Sequence, residues 1–294
     1  MIDRRTLLAA AAALVLFAAR ANAQEPTRLK DVVYAHKEGV ALTMDVFKPA
    51  KPNGIGVLWM VSGGWVSNHD SINPGLAKVF TDRGQTVFEV VHGSQPRYFL
   101  PEIVKDIHRA VRFVRTHAAE YGVDPDRLGI SGGSAGGHLS LMMGSYGAPG
   151  DPKAKDPVDR ASSAVQAVAC FFPPTDFLNY GADGRISLDD PTLLPFRHVF
   201  AVPLLETQEA KVDALRPLSP IYGISKSTPP TLIIHGEADK LVPIQQSERY
   251  LAKLQAEGVE TKLDRRPGKA HGWPDMGPDL QIIAEWFDSH LAKR

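Results

Sequence analysis

Apolar and polar positions change their period repeatedly along the chain, and each change marks an element. Residues 32–36 and 42–47 are rich in β-branched and aromatic side chains and flank the turn Glu38-Gly39, which predicts an opening antiparallel pair. Residues 55–61 form a short apolar run of the kind that makes a buried strand. Asn73-Pro74 predicts a helix start, with Leu76, Val79 and Phe80 on one face. Residues 85–91 read as the next strand. Over 101–121, Ile103, Ile107, Ala110, Val111 and Val114 fall on one stripe, a helix that Gly122 is placed to end. Strands at 128–131, 165–172, 231–235 and 261–264 follow, with helices at 135–146, 244–257 and 279–291. Such alternation implies an α/β fold with a mostly parallel central sheet and helices on both faces. Between about 172 and 228 no strand pattern appears and Pro, Gly and Asp abound, which predicts a small lid-like insertion.

The first residues follow a different logic. Asp3-Arg4-Arg5-Thr6 is a short charged start, 7–19 is an unbroken apolar run, and Ala21-Asn22-Ala23 offers small residues to a signal peptidase. This layout predicts an export signal over 1–23, loosely of the twin-arginine kind, cleaved before Gln24 to leave a single domain over 24–294. The apolar run is shorter than the roughly 20 residues that span a bilayer, so no stable membrane anchor and a periplasmic or secreted location are expected. The whole chain of 294 residues carries 33 Lys plus Arg against 33 Asp plus Glu. Without residues 1–23 the balance is 30 against 32, too even for an electrostatic nucleic-acid binder. One cysteine, Cys170, rules out a disulfide framework and a cysteine-based zinc site. The histidines lack metal-binding spacing, so no metal or other cofactor is expected.

Gly132-Gly133-Ser134-Ala135-Gly136 lies between a predicted strand and a predicted helix, the setting in which G-x-S-x-G presents a nucleophile. A sharp strand-to-helix turn holds the hydroxyl at the sheet edge, and small residues on either side let the chains pass. A serine hydroxyl needs an imidazole to take its proton and a carboxylate to orient that imidazole. His271 follows the 261–264 strand and Asp239 follows the 231–235 strand, both at carboxyl ends, where sites of open α/β sheets lie. Glu237 is a rival acid in the same loop. His235 is expected to bond locally and His138 to be structural. Acyl transfer also needs fixed N–H donors for the developing oxyanion, each worth roughly 3–4 kcal/mol. Ala135 supplies one, and the loop Ser62-Gly63-Gly64-Trp65 after an early strand supplies Gly63 and Gly64. Trp65 and Trp273 are candidate substrate contacts.

These motifs, with the flanking segments 121–127, 229–231 and 241–243, resemble the α/β-hydrolase serine esterases, in the branch of acetyl and feruloyl esterases and hormone-sensitive-lipase-like carboxylesterases. The resemblance runs from about Val32 to the end and implies the α/β-hydrolase fold. It also implies Ser134 as nucleophile, Asp239 as acid and His271 as base, with a small-molecule carboxylic ester as substrate. One feature departs from that branch: Val61-Ser62 stands where His-Gly usually precedes the paired glycines, which puts the bracing of the loop in question. A small peptidase or amidase of the prolyl-oligopeptidase type, and a non-catalytic binding protein, remain open on sequence alone. Acyl and alcohol specificity and oligomeric state are not readable.

Overall fold

In the computed structural model, which describes residues 25–200 and 207–292, eight strands form one sheet in the order β1-β2-β4-β3-β5-β6-β7-β8. They are β1 (Thr27–Lys37), β2 (Val40–Lys48), β3 (Gly54–Val61), β4 (Thr86–Val91), β5 (Val123–Gly133), β6 (Ala167–Phe171), β7 (Thr231–Gly236) and β8 (Thr261–Arg266). β2 runs antiparallel to both β1 and β4, and all remaining pairs are parallel. The helices are α1 (Pro74–Thr81), α2 (Leu100–Thr116), α3 (Ala135–Tyr146), α4 (Gln208–Leu215), α5 (Gln245–Ala256) and α6 (Gly277–Leu291). The expected export signal over 1–23 lies outside the described residues.

Two apolar layers sandwich the sheet. Ala77 and Phe80 of α1 join Ile283 and Phe287 of α6 on one face, against Val57, Val87 and Leu232. Ile103 and Ile107 of α2, Leu139 and Met143 of α3, and Tyr250 and Leu254 of α5 pack on the other, against Leu58, Ile130 and Ile233. The strands buried on both faces are the near-continuous apolar runs of the sequence, as parallel sheets require. Cys170 is buried within β6, with its thiol pushed far up by burial, and behaves as a small hydrophobe.

The site is positioned by the strand order. β3 connects through α1 to β4 on one side, whereas its other neighbour, β5, connects through α3 to β6 in the opposite direction. Adjacent loops therefore diverge past the carboxyl ends of β3 and β5 and leave a crevice between them.

The elements differ from expectation mainly at their ends. The helix expected over 101–121 closes at Thr116, and a separate 3₁₀ turn (Ala118–Tyr121) ends at Gly122, whose φ of 70° only glycine adopts freely. β1 begins five residues before its apolar pattern, because ladder pairing to β2 from Thr27 carries half-buried Arg28 and exposed Lys30 along. The expected strand 165–172 is trimmed to β6, since Phe172 turns out of the sheet at φ 32°. The insertion holds no strand, only 3₁₀ turns and α4, among its described residues. α4 is announced by Thr207, whose hydroxyl accepts from the Ala210 amide, a capping signal that periodicity alone does not detect. The insertion is tied to the domain through Gln246 of α5, whose side-chain oxygen accepts from the Thr175 and Asp176 amides at 2.9 and 2.8 Å.

Candidate active site

Ser134 occupies the turn between β5 and α3 with φ 54° and ψ −118°, a strained conformation for a residue with a side chain. Glycines make the turn possible by letting backbones meet. A Cβ on Gly132 would lie 2.7 Å from the Gly136 carbonyl carbon, and one on Gly136 would lie 2.7 Å from the Met60 oxygen. Gly137 is as tight, 2.8 Å from the Phe171 oxygen, whereas Gly133 has nothing nearer than 3.6 Å. The turn is thus tightly packed at Gly132, Gly136 and the following Gly137, and loose at Gly133.

The loops after β7 and β8 bring the acid and the imidazole together. Glu237 and Ala238 donate their amides to the Arg266 and Lys269 carbonyls at 3.0 and 2.9 Å, so the two loops run as a pair. Gly236 is required there, because a Cβ would sit 2.3 Å from the Lys269 oxygen. His271 Nδ1 lies 2.7 Å from Asp239 Oδ2, and His271 Nε2 lies 2.8 Å from Ser134 Oγ. A carboxylate only accepts, so Nδ1 carries the proton and the Nε2 lone pair faces the serine hydroxyl. The other carboxylate oxygen of Asp239 accepts from the Leu241 and Val242 amides, each at 2.9 Å. Burial would raise this carboxyl, but hydrogen bonds from His235, His271 and the Val242 amide outweigh it and hold Asp239 down at about 2. It is therefore a fixed negative charge at neutral pH.

His235 bonds locally, as expected, and its bonds brace the acid loop. Its Nε2 lies 2.9 Å from the Val242 carbonyl and 3.3 Å from Asp239 Oδ2, and its Nδ1 lies 2.7 Å from Ser247 Oγ. Its place four residues before Asp239, at a strand end, was the signal for this support. Glu237, the rival acid, faces Arg265 at 3.8 Å and is exposed.

A cavity of about 520 Å³ opens over Ser134 and His271 and is lined by Gly63, Gly64 and Trp65 on one side and Phe172, Leu193 and Phe196 on the other. A larger groove of about 1010 Å³ lies between β1 and α2 and shares no lining residue with this cavity. Several of its ionic side chains pair with one another, Lys37 with Asp106 at 2.9 Å and Arg109 with Asp156 and Asp159 at 2.7 and 2.9 Å.

The loop after β3 is a two-residue hairpin turn. Gly63 and Val66 exchange both backbone hydrogen bonds at 3.0 Å, and the two residues between them, Gly64 and Trp65, have φ of 56° and 60°. This corrects one expected donor: the Gly63 amide is committed to the Val66 carbonyl. Among the described residues the amides of Gly64 and Trp65 have no backbone or side-chain partner, and the Ala135 amide, at the first position of α3, has none within the helix.

The two tryptophans part company. Trp65 lines the cavity while its Nε1–H donates to His138 Nδ1 at 3.2 Å. That fixes His138 as the tautomer whose Nε2–H donates to the Leu218 carbonyl at 2.8 Å, and burial keeps it neutral by pushing it down to about 4. Trp273 is not a lining residue. Its Nε1–H donates to Asp279 at 2.8 Å, and its ring packs behind Phe172, which itself lies 4.6 Å, centroid to centroid, from the His271 ring. Phe172, Leu193 and Phe196 all belong to the 172–228 segment, which the sequence marks as the lid-like insertion without distinguishing these side chains. Among the described residues, no cluster of His, Cys, Asp or Glu could hold a metal ion, and no helix is long and apolar enough to cross a membrane.

The probable carboxylic ester hydrolase LipM of Mycobacterium tuberculosis is 32% identical over 206 residues, covering 67% of this chain and 44% of that protein. Esterase LipQ of the same organism is 30% identical, covering 80% of this chain and 54% of its own length. The chain thus spans about half the length of these curated relatives. The ethyl acetate hydrolase of Pseudomonas putida is 26% identical over 92% of this chain and 85% of that protein. Among solved structures, a truncated carbohydrate esterase from gut microbiota superposes with a TM-score of 0.77 at 24% identity, covering 93% of this chain and 99% of that one, a likeness of fold. Butyrate-bound Est2 of the planctomycete Thermogutta terrifontis gives 0.70 at 25% identity, covering 93% and 97%. The BD-FAE family model matches residues 44–254, from the second strand through the elbow and the acid loop to the helix beyond it, and the chain belongs to that family, carrying the α/β-hydrolase fold.

Proposed function

We propose that the protein is a serine carboxylic ester hydrolase acting through an acyl-enzyme. The observation that carries this reading is the hydroxyl of Ser134 at 2.8 Å from the unprotonated nitrogen of an imidazole whose other nitrogen is held by a buried, ionised carboxylate. Ser134 Oγ attacks the ester carbonyl while His271 Nε2 takes its proton. Asp239 keeps the tautomer and stabilises the imidazolium. The carbonyl oxygen becomes an oxyanion next to the amides of Gly64, Trp65 and Ala135, which need no reorganisation to receive it. His271 then protonates the leaving alkoxide, and a water activated by the same nitrogen hydrolyses the acyl-serine.

The mostly apolar lining of the cavity supports a neutral ester of modest size. Acetyl esters are the first to test, since similar proteins are an ethyl acetate hydrolase and a carbohydrate esterase. The same reading includes export, supported by the charged start, apolar run and small-residue site over 1–23 and by the unpaired, buried Cys170. N-terminal sequencing of the protein recovered outside the cytoplasm is expected to begin at Gln24.

The decisive experiment compares p-nitrophenyl acetate with an aminoacyl anilide and follows covalent labelling by a fluorophosphonate. Wild-type protein is expected to cleave the ester and to be labelled at Ser134. Ser134→Ala is expected to lose about 10⁴-fold or more in kcat with its melting temperature retained. Folded wild-type protein that neither cleaves any ester nor accepts the label would sink the reading, and preference for the anilide would move it to the amidases.

A further inference from the structure

The esterases that the sequence resembles usually carry His-Gly ahead of the paired glycines, and this chain carries Val61-Ser62. The structure shows what fastens the loop instead. Ser62 Oγ lies 2.8 Å from Nε2 of His92, the residue that follows β4, and His92 is 3% exposed. His92 Nδ1 lies 2.6 Å from the Gly93 carbonyl, which can only accept. Nδ1 therefore bears the proton, Nε2 is a lone pair, and the Ser62 hydroxyl is the donor. Burial, assisted by the nearby Lys37 charge, pushes this imidazole down to about 4 against the pull of the Gly93 carbonyl, so the arrangement persists at neutral pH.

The same short segment grips the far end of the turn. The His92 amide donates to Ser67 Oγ at 3.2 Å, Ser67 Oγ donates to the Val61 carbonyl, and the Ser67 amide donates to Ser94 Oγ at 2.8 Å. Gly93 is itself anchored, its amide donating to Asp106 at 3.2 Å. Thus 92–94 holds the turn on both sides, at Ser62 and at Ser67, with Gly64 and Trp65 between them.

We infer that His92 is a positioning residue for the oxyanion-binding turn, acting through Ser62 on one side and Ser67 on the other, in the role that a loop histidine fills elsewhere. The inference rests on the proposed esterase reading and assigns His92 no contact with substrate. Its ring sets where the Gly64 and Trp65 amides point when charge develops on the carbonyl oxygen, so it acts on the transition state more than on the bound ester.

The test uses Ser62→Ala, His92→Phe and His92→Gln in the full protein, with kcat, KM and melting temperature measured on p-nitrophenyl acetate. Ser62 is half-buried at the cavity wall, and its truncation is expected to leave the fold intact. Ser62→Ala and His92→Phe are expected to lose about ten- to hundredfold in kcat, with KM within about twofold, the cost of a misplaced catalytic geometry. His92→Gln, whose amide oxygen can accept from Ser62, is expected to recover most of that loss. An unchanged kcat in Ser62→Ala overturns the inference. So does a loss that follows melting temperature alone, with Gln no better than Phe. Absence of ester hydrolysis in the wild type would instead overturn the function proposed above, and is read separately.

Discussion

Ser134 and Trp65 stand at the ends of neighbouring strands and both adopt positive φ, 54° and 60°, yet the two turns are held in different ways. At the elbow the restraint is steric. Backbones approach so closely at Gly132, Gly136 and Gly137 that no other residue fits. At the hairpin turn the restraint is polar. Ser62, Ser67 and Trp65 reach to His92, Ser94 and His138, and the Asn73 amide at the exit of the segment donates to the buried carboxylate of Glu89 at 2.7 Å. Steric fastening shows in the sequence as a run of glycines, although Met60 and Phe171, which two of them admit, are distant in sequence, and it cannot be tuned by solution conditions. Polar fastening draws on partners 16 to 73 residues away and includes groups that titrate.

The widest contrast is expected at the elbow itself. Gly132→Ala drives a Cβ into the Gly136 backbone, which cannot move aside, and is expected to cost more than about 3 kcal/mol in denaturant melts, or to prevent folding. If Gly132→Ala melts like the wild type, the steric account of the elbow fails.

Glu89 tests the polar side. Burial, with the neighbouring Asp45 carboxylate, pushes it up to about 7 against the Asn73 amide and Arg28, and one of its oxygens has no partner. A carboxyl raised in the folded state contributes stability fully below its unfolded value and loses it as pH rises through about 7. Glu89→Gln keeps an acceptor for Asn73 without the charge. It is expected to match the wild type near pH 4 and to exceed it by about 3 kcal/mol near pH 8. Equal melting temperatures at both pH values would remove Glu89 from the account, and the Gly132→Ala defect should be the same at both.

Gly64→Ala combines left-handed backbone with a side chain placed 2.6 Å from the Phe196 ring, whose edge can shift. A loss of about 1 kcal/mol is expected, with kcat falling more than stability because the moved atoms flank the amides proposed to receive the oxyanion. Gly133→Ala has the smallest expected effect, within about 0.5 kcal/mol, since its nearest neighbour would be 3.6 Å away. A large loss there would mean that the elbow is tighter than its contacts indicate.

The legible part of the fold follows from period. β3, β4, β6 and β7 are short apolar runs, and α1, α2 and α5 carry apolar stripes, so these elements stand within a few residues of expectation. Where the pattern misled, pairing or a cap overrode it: β1 extends through the charged residues Arg28 and Lys30, and α4 begins at a Thr207 cap inside the insertion. The candidate site divides likewise. Ser134, Asp239 and His271 were recognisable because each sits at a fixed place after its own strand. Trp273 also sits in such a loop, but its indole is drawn to Asp279 and away from the cavity.

By itself the sequence determined the alternation of strand and helix, the glycine spacing that forces Ser134 into its turn, and the loops from which acid and imidazole come. These are properties of neighbouring residues and of burial period. The tertiary structure alone decided that the Gly63 amide closes a hairpin and is unavailable to substrate, that Phe172 and Phe196 wall the cavity, and that His92 stands where Ser62 needs an acceptor. Hydrogen bonds and ring contacts across separate loops depend on how strands are ordered in the sheet, and no local pattern encodes that order.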